Sequence, residues 1–139
     1  MKRTLLFLFV AVPACASAAW RIDCHIDFEG EGRVVVSRPV ASPYAVASIA
    51  VGDIFLFRTV FQDRPADVAG VTIATYRSGD EGPVMIHQAS HPWPPAAGGR
   101  RARHGFTGLQ RVFEPGYDGE LEYWCEAVNE GAKGRAAYR

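Results

Sequence analysis

The sequence predicts an all-β fold: an antiparallel β-sandwich of about seven to eight short strands, stapled by one disulfide, with a small β-barrel as the alternative closure. Three observations carry this expectation. Apolar and polar residues alternate strictly over several short stretches, Gly-, Pro- and Asp-rich turn signals separate those stretches, and two cysteines sit near opposite ends of the folded portion. No stretch keeps the 3.6-residue period of an amphipathic helix over three turns, so helix content is expected to be small.

From Trp20 to Phe28, Trp20, Ile22, Cys24, Ile26 and Phe28 point one way and Arg21, Asp23, His25 and Asp27 the other. This is a half-buried strand with Cys24 on its core side. Glu29-Gly30-Glu31-Gly32 turns the chain into Arg33-Val34-Val35-Val36, the second arm of a hairpin. Ser37 to Tyr44, with Pro39 and Pro43, reads as a loop, and Ala45 to Val51 as a small-residue strand closed by Gly52-Asp53. Ile54 to Phe61 is apolar on both faces except for Arg58 and Thr59, with Phe55, Phe57 and Phe61 on one side and Ile54, Leu56 and Val60 on the other, the pattern of a central strand. Val71 to Tyr76 is β-branched and aromatic and runs into a turn at 77–83; strands over Val84–Ala89, Phe106–Phe113 and Leu121–Val128 follow. In the last of these, Leu121, Tyr123, Cys125 and Ala127 share a face, so a Cys24–Cys125 bridge would tie the first strand to the last. The polar tail 129–139, with two glycines, reads as frayed.

Ahead of this domain, Lys2 and Arg3 precede an apolar run from Leu5 to Val12, then Pro13 and a cluster of small residues. That order predicts a secretory signal peptide over residues 1–19, with a mature chain starting at Ala19 or Trp20. The apolar run falls well short of the roughly 20 residues that span a bilayer. A lipoprotein anchored at Cys15 is the alternative. Export to the periplasm or beyond removes Cys15 from the fold, and an even pair of cysteines in an oxidising compartment reads as a disulfide. Without Lys2 and Arg3, 13 basic residues face 15 acidic ones, a formal charge of −2. That balance offers no general attraction to nucleic acid or membrane surfaces. About 120 mature residues make one domain, spanning 20–128.

The pair Tyr123-x-Cys125 resembles the late strand of immunoglobulin-type domains, which implies an Ig-like sandwich. The likeness covers architecture alone: positions 34–40 read Val-Val-Val-Ser-Arg-Pro-Val, where that family places a tryptophan.

Two stretches suggest chemistry. In Val84–Pro95, Met85, His87 and His91 would share one strand face, and His104 could return to them; a thioether with imidazoles suits copper. Against a metal stands a spacing that matches no established ligand signature and a strand context in which Met85 fits a core. Beyond it, His91-Pro92-Trp93-Pro94-Pro95 holds Trp93 in an extended segment leading to a loop with Arg100, Arg101, Arg103 and His104. An aromatic beside three arginines suits an acidic protein surface or another anion.

Catalytic signatures are missing from the chain. There is no Gly-x-Ser-x-Gly elbow, no phosphate-cradling glycine loop and no mature cysteine free of the expected bridge; Asp23, Asp27, Glu120, Glu122 and Glu126 fall on outward strand positions. The expected role is therefore a non-catalytic binding or accessory protein working through the Trp93–His104 loop. A periplasmic copper binder, and an inhibitor or immunity protein against a toxin or hydrolase, are the alternatives.

Overall fold

A computed structural model describes residues 19–96 and 102–133, so 1–18, where the signal peptide is expected, Arg100 and Arg101, and 134–139 lie outside the described residues. Eight strands form: β1 Trp20–Phe28, β2 Glu31–Ser37, β3 Ile49–Val51, β4 Phe55–Gln62, β5 Gly70–Arg77, β6 Val84–Pro92, β7 Gln110–Glu114 and β8 Gly119–Asn129. They make two four-stranded antiparallel sheets, in the orders β2-β1-β8-β7 and β3-β4-β5-β6. The molecule is the predicted β-sandwich.

The core lies between the sheets. From the first sheet come Ile22, Cys24, Ile26, Phe28, Val112, Leu121, Tyr123 and Cys125, and from the second Val51, Phe55, Phe57, Phe61, Val71 and Ile73. Full burial of one such aliphatic or aromatic side chain stabilises the fold by about 1.5–3 kcal/mol. Edge-to-face aromatic pairs bridge the layers, Phe28 to Phe55 at 5.5 Å and Phe57 to Tyr123 at 5.3 Å between ring centroids. Cys24 and Cys125 are bonded and fully buried, and they sit directly opposite each other on β1 and β8 with their Cα atoms 4.1 Å apart. The bridge thus joins neighbours within one sheet, whereas the immunoglobulin bridge crosses between sheets.

Three elements depart from the sequence reading. The segment expected as a strand from Ala45 contracts to β3, because Pro43–Ala45 winds a 3-10 turn that Pro43 favours at its first position. The strand expected from Phe106 begins only at Gln110, because Gly105 and Gly108 take positive φ of 60° and 68° and break the extended chain. The tail is tied down where it leaves β8: Glu130 opens a short helix, α1 Glu130–Lys133, and binds both Arg21 and Arg38. Glu130 accordingly titrates at about 2, held down by hydrogen bonds from the Arg38 and Arg21 guanidiniums.

The two outer faces differ. On the second sheet Val60 and Ala74 point away from the core yet are only 6% and 4% exposed. The 38–48 segment lies over the β4 part of that face, with the Arg58 guanidinium donating to the Pro43 carbonyl and Val40 N–H to the Phe61 carbonyl, while Met85 on β6 stays 48% exposed. On the first sheet Val34 and Val36 are both 50% exposed and Phe113 is 62% exposed. Among the described residues no helix is long and apolar enough to cross a membrane.

Candidate functional site

The open face of the first sheet carries side chains in rows set by strand register. His25 on β1 pairs with Val34 on β2 and with Trp124 on β8. Because Gln110 opposes Tyr123, Leu109 comes alongside Trp124 and completes a row Val34–His25–Trp124–Leu109 across the sheet. The His25 and Trp124 rings stack at 3.8 Å and 8°, each covering one face of the other. The His25 Nε2–H donates to Glu126 Oε1 at 2.9 Å, which orients the imidazole.

One register step along the strands the row is Gly32–Asp27–Glu122–Arg111. Gly32 contributes no side chain, so the surface sinks here into an open groove of about 400 Å³ walled by His25, Trp124, Val34 and Leu109 and edged by Asp27 and Glu122. The two carboxylates face each other across the strand pair, an arrangement that repels. Arg111 compensates Glu122 at 2.7 Å but is shared with Glu120 at 3.4 Å. Asp27 Oδ1 accepts the Gly30 N–H at 3.2 Å, and no salt bridge reaches it among the described residues.

The fourth side of the groove is His104. The loop that carries it is fastened to the free edge of β8: Phe106 N–H donates to the Cys125 carbonyl at 3.0 Å, and Thr107 Oγ1 accepts from Cys125 N–H at 2.8 Å. Gly105 lies so close to β8 that a Cβ there would sit 2.0 Å from the Cys125 carbonyl oxygen. This docking places the His104 ring edge-on to Trp124 at 6.0 Å.

The residues singled out from the sequence are distributed otherwise than expected. Trp93 is half-buried and closes one end of the core, against Phe61 at 4.4 Å and Trp20 at 5.6 Å. Of the loop cations, Arg103 is exposed, His104 lines the groove, and Arg100 and Arg101 fall outside the described residues.

The four residues considered for copper are not brought together. A β-bulge makes Ile86 the extra residue of β6, so Met85 pairs with Tyr76 while His87 pairs with Thr75. The bulge corrects the expected shared face: Met85, 48% exposed, turns outward, and His87 and His91 turn inward. His87 and His91 are four residues apart along an extended strand, about 13 Å, far beyond sharing one ion. His87 Nε2 bonds the Tyr123 hydroxyl at 2.7 Å, and His91 packs against Phe106. His104 belongs to the opposite side of the first sheet. Among the described residues no group of three or more His, Cys, Asp or Glu side chains is arranged to hold a metal.

Burial shifts the interior groups: it lowers the pKa of His87 and His91 and pushes the Tyr123 phenol up. The sequence did carry a signal for the groove. If Tyr123 and Cys125 face the core, Trp124 must face out, between two glutamates, where a solvated strand face has no use for an indole. Compared with known proteins, the chain matches no protein-family model, no curated protein and no solved structure.

Proposed function

We propose that this chain is an exported, non-catalytic binding domain that engages a protein partner through the outer face of its β2-β1-β8-β7 sheet. The observation that carries this reading is the row Val34–His25–Trp124–Leu109, aromatic and aliphatic side chains standing on outward strand positions beside a groove. Aromatic anchors in a recess with a polar rim are the usual energetic centre of protein interfaces. The second sheet's outer face is covered over β4 by the 38–48 segment, whereas the outer face of the first sheet carries the groove. A buried disulfide and the leader-like N-terminus support export. The groups whose pKa values burial perturbs point into the sandwich, away from the groove, and a site built for proton transfer would place such groups at its mouth.

The reading departs from the Trp93 loop because Trp93 is committed to the core edge; among the loop's described residues, His104 is the one that lines the groove. It is tested by photo-crosslinking in cells that export the protein. A photoreactive residue at Val34 or Leu109 should yield one discrete adduct, lost on Trp124→Ala with the circular dichroism unchanged. A photoreactive residue at Val68, on the far β4–β5 loop, should not yield it. Adducts equally strong from Val68, or indifferent to Trp124→Ala, would overturn the reading.

A further inference from the structure

We infer that the groove receives a cationic side chain, arginine or lysine, of the protein partner; this rests on the reading above and specifies its chemistry. The inference starts from an electrostatic mismatch. Asp27 and Glu122 stand in direct cross-strand register, a placement that costs stability in the isolated domain. Among the described residues, the guanidinium that pairs on their side of the groove is that of Arg111, which divides itself between Glu122 and Glu120. Arg33 also lines the groove, but its guanidinium is turned over the sheet edge to the Ala50 carbonyl. A cation entering between Asp27 and Glu122 therefore relieves a repulsion that Arg111, shared with Glu120, offsets only in part. An anion would add to it.

The wall beside the carboxylates suits the rest of such a side chain. Lys and Arg lay their methylene stems along apolar surface while the charged head reaches polar partners, and an indole attracts either cation. Trp124 has one face covered by His25, and its ring plane is fixed by that stack, so the groove is ordered before anything binds. The missing side chain at Gly32 leaves the space into which the head group fits.

The test uses the purified mature domain and a short oligo-arginine peptide, with oligo-glutamate of equal length as the comparison, followed by heteronuclear NMR titration at low salt. Expected are shifts from oligo-arginine confined to residues 25–34, 104–111 and 120–126, and none from oligo-glutamate. Asp27→Asn keeps the acceptor for Gly30, so the hairpin survives; combined with Glu122→Gln it should weaken the peptide about tenfold, the size expected when a charged pair worth about 1.4 kcal/mol is lost. Asp80→Asn with Glu81→Gln, in the turn between β5 and β6, should leave the affinity unchanged. Equal weakening by both double variants, shifts spread over the whole surface, or no shifts at all would overturn the inference. If the Val34 crosslink persists in the Asp27→Asn, Glu122→Gln variant, the groove remains the interface and only the cationic assignment fails.

Discussion

His91 shows how one residue's surroundings set a measurable property. Its Nε2 is buried without a hydrogen-bond partner among the described residues and its ring packs against Phe106, so the neutral imidazole is favoured; burial drives His87, bonded to the Tyr123 hydroxyl, the same way. For both, the folded pKa lies below the ordinary value near 6.5. The unfolded chain then takes up protons first as pH falls, so the stability these residues contribute is fully present above about pH 6.5 and declines as pH drops through that value toward the folded pKa. Glu130 acts in a lower window: its folded value of about 2 lies below the ordinary 4.5, so its contribution holds above about pH 4.5 and fades toward pH 2. Thermal unfolding followed from pH 7.5 to pH 3 should therefore fall in two limbs. Substituting both histidines with glutamine should flatten the upper limb and leave the lower one; a single limb unaffected by that change would refute the assignment.

At the scale of elements, the groove depends on how a loop is pinned to a strand edge. The stretch 102–109 has no regular structure of its own, and its position comes from the Gly105, Phe106 and Thr107 contacts with Cys125. Gly105→Ala would place a methyl 2.0 Å from a backbone oxygen at a φ of +60°. The loop would have to lift from β8, taking His104 away from Trp124 and leaving Cys125 N–H without its acceptor. Loss of a buried hydrogen bond together with the backbone strain is worth about 2–4 kcal/mol. Urea unfolding should report that loss, and the indole resonance of Trp124 should move; a variant as stable as the parent would show that the loop is not fastened this way. Elsewhere a single bulge decides function-relevant geometry, since the extra residue Ile86 separates Met85 from His87.

For the whole molecule, the bridge between β1 and β8 closes a loop of 101 residues. The chain-entropy account gives such a closure about 4–5 kcal/mol. Because both sulfurs are fully buried, the native protein should resist reductants and become reducible only as it unfolds. A Cys24→Ala, Cys125→Ala variant should melt about ten degrees or more below the parent, as a loss of that size implies for a domain of this length; an unchanged midpoint would show that the strand pairing of β1 with β8 holds without the staple. The alternation from Trp20 to Phe28 and from Leu121 to Val128, the turn signals and the pair Cys24 and Cys125 were enough to determine the sandwich, its inward faces and its bridge, because a strand's period of two converts residue order directly into sides. The same rule placed Trp124, His25, Asp27 and Glu122 outward, but could not say that they meet, since register joins residues about 100 apart in the chain. Whether Trp93 is an anchor or a plug, whether Met85 faces His87, and which part of the second sheet's outer face is covered were decided only by tertiary structure. Each depends on a bulge, a pinned loop or a covering segment, and these act between elements that carry no mark of one another in the sequence.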